Sequence, residues 1–185
     1  MILPIYTYGQ PVLREKTEPV TEPYSGLAEL IDNMFDTMYQ AEGVGLAAPQ
    51  IGRAIRLLVI DADSLSNDYI ECQGFKRVMI NPEIIERSDE TTALEEGCLS
   101  FPGLHEKVVR AADIRVRYRD AHGTLQDETI RGFAARVVQH ECEHLDGFMF
   151  IDHITPIRKQ LNKGKLKAIM KGTASCTYRI KAMKK

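Results

Sequence analysis

The sequence lacks a long apolar run, and its four cysteines include no CxxC pair. No stretch approaches the roughly 18 apolar residues of a membrane-spanning helix, so we expect no membrane partner. Four cysteines are too few for a disulfide scaffold in a chain of this length. Residues 1–6 have no basic segment and no long apolar segment, which argues against a signal peptide. These absences predict a cytoplasmic protein with reduced thiols.

Acidic residues are missing from the C-terminal end of the chain. Residues 154–185 contain no Asp or Glu but carry ten Lys and Arg residues. Residues 1–153 therefore carry 14 of the 24 basic residues and all 26 acidic ones. An acidic body with a basic tail favours a polyanionic partner such as nucleic acid or a membrane surface. The alternative is a solvated, partly helical tail that only aids solubility.

The 185 residues are 44% hydrophobic, enough to bury a core without a disulfide or a metal. Apolar periodicity predicts helices at Pro23–Gln40, at residues 132 or 133 to 145 and at Thr155–Lys171. It also predicts several strands, of which Val108–Arg119 is the clearest. Strands and helices do not alternate as βαβ units, so we expect an α+β fold with mainly antiparallel strands around the helix that ends at residue 145. We expect a catalytic domain at residues 1–154 and a basic helical extension at 155–185.

The strongest local motif is an HExxH sequence at residues 140–144. On a helix, His140 and His144 lie on one face and can hold one divalent metal ion. Glu141 lies about 100° around the helix from His140, beside the position that such a site leaves open. There it can take a proton from metal-bound water.

A catalytic site of this kind needs a third protein ligand. Phe150 occupies the place of the third histidine of an HExxHxxGxxH motif, and no Glu follows Glu143. His153 is one candidate at an unusual spacing. Cys98, in the segment Glu-Glu-Gly-Cys-Leu-Ser, is another, because the preceding glycine allows close backbone approach.

Three segments together resemble the peptide deformylase family. They are GVGLAAPQ at residues 43–50, EGCLS at residues 96–100 and QHECEHLDG at residues 139–147. Members of that family show GxGxAAxQ, EGCLS and QHExxHLxG in this order, and the resemblance extends over about residues 1–155. The family commonly has Asp where this chain has Glu143.

The resemblance implies a hydrolase that removes the formyl group from the N-terminal formyl-methionine of newly made polypeptides and releases formate. It implies that Cys98, His140 and His144 bind the metal and that Glu141 acts as general base and acid. A metal-bound hydroxide would attack the formyl carbon. Gln50 and the Leu99 backbone N–H would stabilise the oxyanion. The resemblance favours Fe2+, which Zn2+, Ni2+ or Co2+ could replace.

The resemblance also implies how the peptide binds. Gly43, Val44 and Gly45 would leave room for main-chain pairing with the substrate. Val137 is a candidate for the apolar pocket of the methionine side chain, and His105 is a candidate substrate contact. Glu96 and Arg110 are predicted to pair and to hold the Cys98 segment. The basic tail would then attract ribosomal RNA where nascent chains emerge.

Two other functions remain consistent with the motifs. One is an HExxH peptidase that uses His153 as its third ligand. The other is a ribosome-associated or RNA-binding module with a structural zinc, which would need a fourth protein ligand and would have no use for Glu141.

Overall fold

A computed structural model describes residues 1–21 and 24–183 of the chain. The helices are α1 Leu27–Gln40, α2 Gly132–Leu145, α3 Pro156–Leu161 and α4 Lys163–Met170. The strands are β1 Ile5–Tyr6, β2 Gly45–Ala47, β3 Leu57–Asp61, β4 Lys76–Arg87, β5 Thr91–Gly97, β6 His105–Ala111, β7 Asp113–Arg119, β8 Leu125–Arg131 and β9 Ile180–Lys181. This is an α+β fold with mostly antiparallel strands, as the sequence predicts.

The main sheet has five antiparallel strands in the order β2-β3-β4-β7-β8. Helix α2 packs on one face of this sheet. Ala134 and Val138 of the helix share a buried apolar cluster with Leu58 of β3 and Val116 of β7. Helix α1 contributes to a second cluster with strands β2 and β3. The sheet therefore gives α2 a rigid support.

Two smaller sheets complete the fold. Strands β5 and β6 form an antiparallel pair that runs from Thr91↔Ala111 to Gly97↔His105. Strands β1 and β9 pair in parallel and bring the two ends of the chain together. A third apolar cluster joins Leu13, Phe150 and Ile169, so α4 packs on the N-terminal part of the chain.

The prediction of one strand over Val108–Arg119 is wrong. The chain turns at Ala112 from β6, which pairs with β5, into β7, which belongs to the main sheet. The backbone N–H of Ala112 donates to Glu90 O, next to β5, and its carbonyl accepts from Gly132 N–H, next to β8, so the chain passes from one sheet to the other at this residue. Apart from Ala111, the buried side chains of both strands fall at even-numbered residues, so the alternation continues across the break and does not mark it.

Two predicted helices differ in their bounds. Helix α1 begins at Leu27, after Gly26 with φ 77°, and Pro23 of the predicted helix lies outside the described residues. The predicted helix at Thr155–Lys171 is two helices that meet at Asn162. The Asn162 amide donates to Arg158 O and to Glu106 of β6, which anchors the break on the body of the protein.

None of the helices within residues 1–21 and 24–183 is both long and apolar enough to cross a membrane. The segment after residue 154 shares an apolar cluster with the N-terminal residues, through Ile169. The division of the chain at residue 154 stays a prediction.

Candidate active site

Helix α2 and the turn after β5 bring together three side chains that could bind a metal ion. His140 and His144 lie one helical turn apart, with ring centroids separated by 5.1 Å. Cys98 follows the last residue of β5, and its Sγ lies 3.2 Å from His144 Nε2. One donor atom from each of the three residues lies within 4.8 Å of the others.

The chemistry of this group fits a divalent metal. His140 Nδ1 donates a hydrogen bond to Glu96 Oε2 at 3.0 Å. The other ring nitrogen, Nε2, therefore keeps its lone pair free to bind a metal. One thiolate and two imidazoles suit Zn2+, Fe2+, Ni2+ or Co2+. Glu141 Oε2 is buried beside the group without a hydrogen-bond partner among the described residues. The three side chains therefore form a candidate metal site that leaves a carboxylate free for chemistry.

A cavity of about 390 Å³ opens at this group. Cys98, His140 and Glu141 form part of its wall. All five residues predicted to bind substrate also line it, namely Gly43, Val44, Gly45, His105 and Val137. The cavity can hold an apolar side chain because Val44 and Val137 belong to the cluster between α2 and the main sheet.

The first motif needs its glycines because other side chains lie against its backbone. A Cβ added at Gly45 would lie 2.5 Å from Glu141 Oε1. A Cβ added at Gly43 would lie 2.7 Å from Leu99 Cδ1. Real Cβ atoms do not approach other atoms so closely, so a larger residue at either position would displace Glu141 or Leu99.

Gln50 is held with its amide nitrogen toward Cys98. The backbone N–H of Ala47 donates to Gln50 Oε1 at 2.8 Å, which fixes the orientation of the buried amide. Gln50 Nε2 then lies 3.3 Å from Ser100 Oγ and 3.5 Å from Cys98 Sγ. The side chain therefore presents a donor next to Cys98.

Glu141 is buried almost completely, with 4% of its surface exposed. Burial raises the pKa of this carboxyl to about 7, because the charged form loses its water. A carboxyl with such a pKa can both accept and donate a proton near neutral pH.

The carboxylate of Glu96 is the centre of a buried polar network. Arg110 donates to it through Nε at 2.5 Å and Nη2 at 2.9 Å, and Arg136 donates through Nη1 at 2.6 Å. Burial opposes the charged form of Glu96, but the hydrogen bonds from His140 and Arg110 outweigh it and hold the pKa well below its usual range. Glu96 is therefore a carboxylate that orients the His140 ring.

Glu143 extends the network to the surface. Its Oε1 accepts from Arg110 Nη1 and from His153 Nε2, each at 2.9 Å. His153 is thus engaged with a carboxylate and lies outside the metal-binding group. Glu143 therefore pairs with Arg110 and His153, which its position in the HExxH motif does not predict.

Two further residues at the site were missed by the sequence analysis. Arg136 is 2% exposed and links Glu96 to Thr92 O and Val108 O, on β5 and β6. The sequence signal for Arg136 was its position one helical turn before His140, which places both residues on the same face of α2. Tyr178 lines the cavity and donates to Leu99 O at 2.8 Å. No local pattern marks that contact.

The sequence of the chain is similar to those of one known protein family. Residues 2–160 match the family model described as polypeptide deformylase. The chain belongs to this family. Peptide deformylase from Salinibacter ruber is 45% identical over 182 residues, which cover 96% of this chain and 93% of the relative. That from Flavobacterium psychrophilum is 44% identical over all of this chain and 99% of the relative.

Solved structures of polypeptide deformylases share the fold. A crystal structure from Thermotoga maritima superposes with a TM-score of 0.76 at 41% identity, covering 84% of this chain and 99% of that one. A structure from Legionella pneumophila gives a TM-score of 0.81 at 37% identity, with 92% and 96% covered. The prediction that the chain is a hydrolase of this family is confirmed.

Removal of the Glu96 side chain should destabilise the fold. In Glu96→Ala, Arg136 and Arg110 would lose the carboxylate that both share, and buried charges that lose a partner cost about 3–5 kcal/mol. Urea unfolding of the metal-free protein measures this loss. The control is Glu95→Ala, which changes the exposed neighbour and should cost at most about 0.5 kcal/mol. Equal losses in the two variants would contradict the role of the network.

Replacement of Cys98 should remove the metal. We expect Cys98→Ala to retain little metal after gel filtration, because two imidazoles alone make a weaker site. Metal content by elemental analysis measures the effect. Cys72→Ala is the matched control, since Cys72 is buried in the main core. Full metal content in Cys98→Ala, with loss in His153→Ala, would point to the other ligand set.

Proposed function

We propose that the chain removes the formyl group from the N-terminal formyl-methionine of newly made polypeptides. The observation that carries this proposal is the position of Glu141, buried in the wall of the cavity beside Cys98, His140 and His144, in a member of the deformylase family. We propose these last three residues as ligands of one divalent metal, with Fe2+ as the metal used. When bound, the metal would supply a Lewis acid that makes water a better nucleophile near neutral pH.

Glu141 is the proposed general base and acid. Its Oε2 has no partner among the described residues, so it is free to accept a proton from the water that attacks the formyl carbon. A pKa of about 7 suits the return of that proton to the leaving amine. Gly45 leaves the space in which this carboxylate lies.

Gln50 and Leu99 are the proposed oxyanion donors. The Ala47 N–H holds the Gln50 amide so that Nε2 faces Cys98 and Ser100. The Leu99 N–H belongs to the residue after Cys98, at the same wall of the cavity. A donor fixed before the reaction needs no rearrangement as charge develops, and the loss of one such donor typically costs about 3 kcal/mol.

The peptide substrate would add a strand to β2. This strand is at the edge of the main sheet, and Gly45 within it lines the cavity. Main-chain pairing along Val44 and Gly45 tolerates varied sequences after the first residue. The methionine side chain would lie against Val44 and Val137, and its burial would contribute about 2 kcal/mol. His105 lines the same cavity and is proposed as a contact with the following residues.

The central test is formate release from a short N-formyl-Met peptide. Anaerobically prepared, iron-loaded protein should release formate, and Glu141→Gln should be slower by at least about 100-fold with its metal retained. Glu86→Gln, an exposed acidic residue of β4, should keep the wild-type rate. No release by wild-type protein with verified iron would contradict the deformylase function. Rapid release by Glu141→Gln would contradict the assignment of the base.

We further propose that the basic tail binds ribosomal RNA. Lys163, Lys165 and Lys167 are exposed on α4, and this segment has no acidic residue to neutralise them. Ribosomal RNA attracts such a cluster through its phosphates, with an affinity that falls steeply with salt.

Charge removal on α4 tests the tail without unfolding it. Triple replacement of Lys163, Lys165 and Lys167 by Gln should weaken co-sedimentation with ribosomes and lower its salt slope by about one per lysine. Release of formate from a short peptide should be unchanged. The control replaces three exposed cations elsewhere, Lys16, Arg53 and Lys107. Equal weakening by both triple variants would mean that only net charge matters.

A further inference from the structure

The C-terminal segment, residues 174–183, returns to the active site after α4. It is fixed on the N-terminal residues by main-chain bonds, with Ile5 N–H donating to Arg179 O at 2.8 Å and Thr7 N–H to Lys181 O at 3.2 Å. The Gln10 amide adds a bond to Ala182 O at 2.7 Å. This pairing carries Tyr178, two residues before β9, into the wall of the cavity.

The Tyr178 hydroxyl contacts the turn that follows β5, residues 98–101, which we call the Cys98 turn. It donates to the carbonyl oxygen of Leu99 at 2.8 Å. A carbonyl can only accept, so the direction of this bond is fixed by chemistry. The ring is half-buried and lines the same cavity as Gly43 and Val44.

Each carbonyl at the start of the Cys98 turn has its own partner. Phe101 N–H donates to Cys98 O at 2.8 Å, within the turn, and Tyr8 N–H donates to Ser100 O at 2.9 Å. Within the part of the chain that the structure describes, Leu99 O accepts its hydrogen bond from Tyr178. The middle carbonyl of the turn is therefore held by a side chain from the far end of the sequence.

The orientation of Leu99 matters because its N–H is a proposed oxyanion donor. The Leu99 N–H lies in the peptide plane of Cys98 O, which Phe101 N–H holds, and the Leu99 carbonyl lies in the next plane. The two planes share the Leu99 Cα, so a bond to the second carbonyl limits the φ and ψ changes by which the N–H could tilt. A catalytic donor works only within about 0.5 Å and 10–20° of its productive geometry, so contacts with neighbouring residues must hold it there. Gly43 packs against the Leu99 side chain and Tyr178 holds its carbonyl.

We propose that Tyr178 is a positioning residue of this active site, whose hydroxyl holds the Leu99 carbonyl so that the Leu99 N–H stays directed at the reacting group. This inference rests on the proposed function, in which that N–H stabilises the oxyanion. The C-terminal segment would then belong to the catalytic site as well as to the basic tail. Tyr178 acts through Leu99 and needs no contact with substrate.

Removal of the hydroxyl alone tests the proposal. Tyr178→Phe should lower kcat for a short N-formyl-Met peptide by about fivefold, the effect of one neutral hydrogen bond. KM should stay within about twofold, because a donor that acts in the transition state adds little to substrate binding. The matched control is Tyr118→Phe. Tyr118 is a buried tyrosine of β7 whose hydroxyl donates to Glu128 Oε1 at 2.6 Å, and it does not line the cavity.

A second readout does not depend on turnover. In the metal-free protein, amide hydrogen exchange of the Cys98 turn should be faster in Tyr178→Phe than in wild type by a similar factor. Tyr118→Phe should leave that turn unchanged. The measurement is mass spectrometry of a fragment that covers residues 97–101.

Both readouts must move for the proposal to stand. A kcat within twofold of wild type overturns it, as does a higher KM at unchanged kcat, which would make Tyr178 a substrate contact. Exchange that rises over the whole chain also overturns it, because that would reflect a general loss of stability. If wild-type protein releases no formate, the proposed function fails, and local exchange alone then decides whether Tyr178 holds the turn.

Discussion

The buried carboxylate of Glu96 receives hydrogen bonds from Arg110, Arg136 and His140, and the arrangement of the site depends on it. The donors come from two elements, since Arg110 lies on β6 and the other two lie on successive turns of α2. Glu96 itself is the second-last residue of β5, two residues before Cys98. A single side chain thus fixes the distance between the helix that supplies two imidazoles and the turn that supplies the thiol.

The buried network around Glu96 lies in a region of low dielectric. Charged hydrogen bonds are stronger there than in water, but an ionised group that loses its partner there costs more free energy. Arg136 donates through its two Nη atoms to Glu96 and to the carbonyls of Thr92 and Val108, so one guanidinium joins the helix to the β5–β6 pair. The remaining charge of Arg110 is met by Glu143, which also engages His153 near the surface.

The sequence was sufficient to predict the α+β class and the bounds of α2. The resemblance of three contiguous motifs also led to Cys98, His140 and Glu141, which line the cavity. Other features depend on contacts between distant parts of the chain. The break at Ala112 left no trace, since β6 and β7 carry the same alternation on both sides of it. An arginine among apolar residues, such as Arg136, has a clear meaning only once its buried partner is known. The contact of Tyr178 depends on a pairing that no local pattern encodes.

The parallel pairing of β1 with β9 has a consequence for synthesis of the protein itself. Tyr6 and Lys181, which meet in this pair, are 175 residues apart in sequence. A contact of such long range cannot form until nearly the whole chain has been made, and its closure is among the entropically costly steps of folding. The histidines of α2 and the Cys98 turn can come together earlier, but Tyr178 reaches the turn only after residues 174–183 have been made and have paired with the N-terminal residues. The contact between Tyr178 and the Cys98 turn is therefore among the last parts of the cavity wall to form.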